Sequence, residues 1–206
     1  MDTNVNFEMT ELEIQRSCLK TIVNMLILRK WLINDIEKYY KLLLDTNKNE
    51  DFIDTVNIIC LNNYKVAIKF YNFKLNTFKD DKEINTFISK YPDYHKILIV
   101  IDITTKAKTQ LLNSSGFEVF KISEIIRDIS NHHLFPKHNL LNIEDSTKVM
   151  TEYNLKKKDM PRIFIDDIMA RYLYAKKDDV IQIIRYSTSS GYSTLYRLVV
   201  SGSIYI

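Results

Sequence analysis

Leu19, Ile22, Val23 and Leu26 recur at i, i+3, i+4 and i+7, and this spacing predicts an amphipathic helix over about residues 10 to 30. Thr10, with Glu13 three residues on, reads as a capping box at its start. A second helix is predicted from Asn34 to Leu44, and the polar run from Asp45 to Asp51 has too little to bury and reads as a loop. The period then shortens to two. Val56 to Leu61 and Lys65 to Phe73 read as strands, the second with Val66, Ile68 and Phe70 alternating against Lys65, Ala67 and Lys69 as on a half-buried strand. Asn62-Asn63 between them tolerates positive φ, so the pair predicts a β-hairpin.

A charged helix follows over Asp81 to Lys90, and Ile97 to Ile101 is continuously apolar, as expected of a strand covered on both faces. It opens a β-α-β unit, with Thr104 as N-cap, a helix from about Thr105 to Asn113, Gly116 near the C-cap, and a strand from Phe117 to Ile122. These elements predict a compact α/β domain of about 130 residues. Beyond His138, Asn142 with Asp145 predicts a helix to about Tyr153. Asn154 to Asp159 reads as a basic loop and Asp167 to Tyr174 as one or two helical turns. Val180 to Tyr186 and Thr194 to Val200 then alternate as strands across a Ser-rich loop containing Gly191, which makes the tail a small α+β module.

Composition narrows the function classes. No apolar run approaches the roughly 20 residues of a membrane span, and no secretory signal pattern opens the chain, so an intracellular soluble protein is expected. With three glycines and three prolines, neither a P-loop nor G-x-G-x-x-G can be written. Cys18 and Cys60 lack C-x-x-C spacing and read as buried small apolar residues. The net charge of +3 is uneven: from His132 onward there are eleven Lys or Arg against eight Asp or Glu, and before it the two balance. That excess is too weak for a nucleic-acid groove by itself and fits docking on an acidic protein partner.

Three histidines, His132, His133 and His138, with Glu144 and Asp145 nearby, raise metal or general-base chemistry. Adjacent histidines in an extended segment point to opposite faces, however, and His-x4-His across Pro136 cannot present both rings from one helical face. The adjacent carboxylates Asp80-Asp81, Asp166-Asp167 and Asp178-Asp179 fall at loops or helix starts, where the helix dipole explains them without catalysis. The aromatics are scattered and form no stacking platform.

The run from His132 to Arg197 carries the family signal. His133-Leu134-Phe135-Pro136-Lys137-His138, Met160-Pro161-Arg162-Ile163, Ala170-Arg171-Tyr172-Leu173, Ile183-Ile184-Arg185 and Tyr196-Arg197 follow in order. Together with Ser187 and Gly191 they resemble the C-terminal assembly domain of subunit 5 of eukaryotic-type RNA polymerases and its archaeal relative. The chain departs from that pattern where Asp167-Ile168 replaces Asp-Pro, where Tyr174 and Asp178 replace glycines, and where Thr188 replaces glutamate. About ten residues extend past Tyr196, among them Val199, Val200, Ile204, Tyr205 and Ile206, where an extra strand or contact is expected. The first helix, with Arg16, Leu19, Thr21, Val23, Met25, Leu26 and Arg29, is similar to that of the family's jaw domain. Ile103-Thr104-Thr105-Lys106-Ala107 stands at a helix start that lies near downstream DNA in the family.

The resemblance implies an α/β N-terminal jaw domain with a small mixed sheet over residues 1–130 and a small α+β C-terminal assembly domain over 131–206. It implies a non-catalytic subunit of DNA-directed RNA polymerase, partnered by the largest subunit, other polymerase subunits and downstream duplex DNA. No cofactor, metal, membrane or small-molecule substrate is implied. The interface residues would be Pro136, Lys137, His138, Pro161, Arg162, Arg171, Arg185, Tyr196 and Arg197, and the DNA-facing ones Thr104, Thr105, Lys106 and Lys108. Work would take place in the nucleus of a cellular source, or in the virion or host cytoplasm of a viral one; the departures and the Lys-, Asn- and Ile-rich composition favour a virus. Two other classes remain open on the residues alone: a free-standing nucleic-acid-binding transcription regulator carrying the same module, and a hydrolase with an α/β domain.

Overall fold

The computed structural model describes residues 9–33, 35, 37–39, 41, 54–78, 81–112, 116–187 and 191–202. Contacts divide the chain into two units, Met1–Arg127 and Asp128–Ile206. In the first, α1 spans Glu11–Leu28 and is closed by the expected capping box. Thr10 Oγ1 accepts from the Glu13 N–H at 3.3 Å, and Glu13 accepts from the Thr10 N–H at 2.8 Å. Its apolar stripe, Cys18, Leu19, Ile22, Val23, Met25 and Leu26, is buried. The helix expected over Asn34 to Leu44 falls mostly, and the loop from Asp45 to Asp51 wholly, outside the described residues.

A four-stranded sheet follows, in the order β1 (Thr55–Ile59), β2 (Lys65–Leu75), β3 (His95–Ile103), β4 (Phe117–Lys121). The β1–β2 pair is the predicted antiparallel hairpin, turned by Asn63 at φ 59°. β2–β3 and β3–β4 are parallel. Helix α2 (Lys82–Lys90) has Asp81 as N-cap, and α3 (Thr105–Leu112) supplies the β-α-β crossover. A short α4 (Ile122–Ile125), not anticipated from the pattern, packs against α1 and β3.

Two expectations about faces need correction. β2 is not half-buried: Val66, Ile68 and Phe70 are buried on one face, and Ala67, Lys69 and Tyr71 on the other. The second face lies beneath α2, where Phe87 and Tyr91 pack on Ala67. Lys69 fits there because its ammonium meets Asp54 and Glu83, each at 2.7 Å. Alternation in β2 therefore reflects a charged pair rather than a wet face. At the other strand, Ile97 to Val100 is covered on both sides as expected, but Ile101 is exposed.

The second unit holds a mixed sheet in the order β5 (Lys137–Leu140), β7 (Val180–Ser187), β8 (Gly191–Val200), β6 (Arg162–Phe164). β7 is antiparallel to both β5 and β8, and β6 is parallel to β8. The short strands β5 and β6 were not anticipated, since four and three residues give the period too few positions to register. Helix α5 (Ile143–Glu152), capped by Asn142, brings Met150 against Met160, Val180 and Leu198. Helix α6 (Ile168–Tyr172), capped by Asp167, places Ala170 with Leu173, Ile163, Ile181, Ile183 and Val199 on the opposite face.

Two turns keep a left-handed backbone where the family pattern has glycine: Tyr174 at φ 56° and Asp178 at φ 72°. A Cβ in that region costs about 1–2 kcal/mol, less for Asp. Tyr174→Gly is expected to stabilise the C-terminal unit by about 1 kcal/mol and Asp178→Gly by less. Denaturant midpoints check this, and Tyr174→Ala, which keeps the Cβ, should show no such gain.

Candidate subunit interface

Residues opposite one another across the β7–β8 ladder share a face, so the register sorts the matched side chains. Lys137 pairs with Ile184, Gln182 with Tyr196, and Arg162 with Leu198, which puts Lys137, Tyr196 and Arg162 on the α5 side. His138 pairs with Ile183, Arg197 with Ile181 and Arg185 with Ser193, on the α6 side. The proposed interface residues thus occupy both faces of one small sheet. Lys137, Arg162, Arg185 and Arg197 are exposed, and none has an ion pair among the described residues. Pro161 is exposed, whereas Pro136, Arg171 and Tyr196 are half-buried.

Several matched residues are internal, among them Ile163, Ala170, Tyr172, Leu173 and Ile183. Ala170 is fully buried, and Tyr172 donates to Asp128 at 3.1 Å, tying α6 to the start of the unit. His138 serves the fold as well: its Nδ1–H donates to the Pro136 carbonyl at 2.7 Å and its ring stacks on Phe135 at 5.2 Å. Since a carbonyl only accepts, the neutral ring keeps Nε2 as acceptor. Burial pushes the His138 pKa down and Arg197 adds to this, against the Pro136 contact and Asp167. The reading of His132 and His133 on opposite faces is corrected, because their rings stack at 4.8 Å. The turn at 133–135 removes the extended geometry that alternation requires.

In the N-terminal unit, Thr104 caps α3: its Oγ1 accepts from the Ala107 N–H at 3.3 Å and donates to the Asn76 carbonyl at 2.8 Å. Thr105 and Lys106 are exposed, Ala107 is buried and Lys108 is half-buried. Two residues apart on a helix do not share a face, so Lys106 and Lys108 diverge.

Sequence reasoning missed three features. Tyr186 and Tyr192, 72% and 75% exposed, form an edge-to-face pair at 5.9 Å across β7 and β8. The alternation of Val180 to Tyr186 predicts a strand but does not show which of its positions stay uncovered. In the N-terminal unit, Arg29, 1% exposed, makes a two-pronged contact with Glu118, both oxygens at 2.7 Å, and His95 Nε2 shares one oxygen at 2.5 Å. Their separation in sequence hides that network. The third is a cavity of about 300 Å³ beside Lys69, walled by Phe87 and Tyr91. Burial would lower the Lys69 pKa, but the hydrogen bonds to Asp54 and Glu83 outweigh it and hold it raised, which withdraws this amine from nucleophilic or base chemistry. Burial raises the thiols of Cys18 to about 12 and Cys60 to about 11, so neither is a thiolate at neutral pH. Among the described residues no three His, Cys, Asp or Glu side chains converge as metal ligands, and no helix is long and apolar enough to cross a membrane.

Residues 127–199 match the family model described as RNA polymerase Rpb5, C-terminal domain, so the sheet carrying the exposed cations is a domain of that class. The likeness extends beyond this unit. DNA-directed RNA polymerase subunit 5 of Acanthamoeba polyphaga mimivirus is 35% identical over 187 residues, covering 88% of this chain and 90% of the relative. A protein of Dictyostelium discoideum named as a subunit of DNA-directed RNA polymerases I, II and III is 30% identical over 197 residues, covering 88% and 94%. The Rpo5 polymerase subunit of the archaeon Thermofilum pendens is 44% identical over 75 residues, 36% of this chain and 94% of its own length. The chain belongs to the RNA polymerase subunit 5 family.

Proposed function

We propose that the chain is a non-catalytic subunit of DNA-directed RNA polymerase, docked on the largest subunit through residues 131–206, with residues 1–130 forming a lower jaw beside downstream duplex DNA. The observation that carries this reading is the likeness to viral and eukaryotic polymerase subunits across 88% of the chain, spanning both units. The exposed cations of the matched words, Lys137, Arg162, Arg185 and Arg197, support docking, because arginine's planar fork suits carboxylates and backbone carbonyls of a partner. The subunit works where its polymerase works: the nucleus for a cellular source, the virion or host cytoplasm for a viral one. Isolation of the native complex tests the proposal. Co-purification at fixed stoichiometry with two very large polymerase subunits supports it; a monomer that binds duplex DNA tightly alone points to a free-standing regulator.

The jaw assignment has its own test. Lys106→Ala with Lys108→Ala should leave assembly unchanged and lower the salt slope of log K for downstream DNA by up to about 2. Because the two side chains diverge on α3, Lys106→Ala alone should account for about half or more of the change. An unchanged slope with intact assembly assigns both to a solvated helix.

A further inference from the structure

Strand β6 ends its sheet: it pairs with β8 on one side and with no other strand among the described residues. Backbone groups in a parallel strand alternate between its two sides. The Pro161 carbonyl accepts from the Leu198 N–H at 2.8 Å and the Ile165 N–H donates to the Val200 carbonyl at 3.0 Å, so 161, 163 and 165 face β8. The N–H and C=O of Arg162 and the N–H of Phe164 therefore point outward. An edge of this kind is a ready template for an added strand. The strand is short, follows Pro161 and carries the exposed Arg162, features that discourage indiscriminate pairing and favour a partner that answers the charge, while the Phe164 ring, backed by Gly202, is 41% exposed.

Immediately before this edge stands a fixed cationic turn. Asn154 at φ 48° reverses the chain after α5, and the Leu155 N–H donates to the Met150 carbonyl at 2.8 Å. Leu155 and Met160 then anchor both ends of the turn in the cluster with Val180 and Leu198. Between the anchors Lys156, Lys157 and Lys158 are exposed, with no ion pair among the described residues. Four acids lie nearby in sequence, Glu152, Asp159, Asp166 and Asp167, but Asp166 is buried and Asp167 caps α6 by accepting from the Met169 N–H, so the exposed side chains keep a modest positive excess once Arg162 is counted. That excess is small for a phosphate groove and matches a short acidic peptide.

We propose that β6 accepts an extended acidic segment of a partner polymerase subunit as an added strand, with Phe164 as its apolar contact and Arg162 and Lys156 to Lys158 pairing its carboxylates. This rests on the polymerase-subunit reading and specifies how the partner is gripped. The full chain would be compared free and in the purified polymerase by amide hydrogen exchange, with a photo-crosslinking residue placed at Phe164. Slowed exchange at Arg162 and Phe164, with crosslinks to a peptide rich in Asp and Glu, supports the proposal. Replacing Lys156, Lys157 and Lys158 together by Gln should weaken assembly about tenfold or more at low salt, with the difference shrinking as salt rises. Unchanged exchange at both amides within an intact polymerase overturns the added strand while leaving the subunit assignment standing. A crosslink to nucleic acid, or to a basic peptide, overturns the partner's chemistry. Failure to co-purify with any polymerase subunit strikes the earlier reading instead.

Discussion

Glu118→Ala is expected to cost the N-terminal unit about 3–5 kcal/mol, the largest single effect in that half of the chain. The Arg29 guanidinium lies 1% exposed and its partner carboxylate 11% exposed, so the variant removes the two-pronged counter-charge of a group that water barely reaches. Trp31 lies 5.0 Å from that guanidinium and edge-on to His95 at 5.2 Å, which leaves little room for a rearranged counter-charge. Removing both charges is a different matter: Arg29→Met with Glu118→Leu should recover part of the loss, because an apolar pair of similar volume avoids desolvating the ion pair, while the buried His95 Nε2 still loses the Glu118 carboxylate. Urea unfolding of the single and double variants reads this directly, and a loss below about 1 kcal/mol for Glu118→Ala would mean the site relaxes or hydrates.

The same network sets an acid dependence. Burial alone would raise the Glu118 pKa, but Arg29 and His95 outweigh it and hold the carboxyl below its usual range. With the folded value depressed, the unfolded chain binds more protons as pH falls through the ordinary carboxylate range. The stabilisation is therefore fully present above that range and is lost as pH drops toward the folded value. Glu118→Ala should flatten this part of the acid-unfolding curve.

Legibility in the sequence followed length and period. Helix α1 could be read almost to its ends because an apolar stripe and a capping box agree, and β3-α3-β4 because an apolar run, a cap and a C-terminal glycine agree. β5 and β6 were missed because a strand needs more positions than they have before alternation shows. Lys69 misled for a chemical reason: a buried ammonium with two carboxylates looks, in one dimension, like a solvent-facing residue. The candidate interface was legible as words and not as a surface. Tyr172 and Ala170 match the family as well as Arg162 does, yet they hold α6 in place, and only the register shows that Arg162 and Arg197 lie on opposite faces.

Arg162→Ala and Arg197→Ala are each expected to weaken incorporation into polymerase by roughly thirtyfold or more, the range that follows from about 2–5 kcal/mol for truncating one partner of a desolvated pair. Lys106→Ala should leave incorporation unchanged. The two arginines flank the β6–β8 boundary on opposite faces, so loss from both variants means that the partner reaches around the sheet edge, and loss from one means that it covers a single face. Arg197→Ala carries a second readout: Arg197 lowers the His138 pKa, so its removal should let His138 titrate at higher pH even in the free subunit. A histidine that shifts while assembly is untouched confines Arg197 to an internal electrostatic role. The fragment comparison completes the test. Residues 130 to 206 alone should still incorporate, because the matched words and all four exposed matched cations lie within them, whereas residues 1 to 130 alone should not. A pull-down that retains the N-terminal fragment and loses the C-terminal one would reverse the assignment of assembly to the second unit.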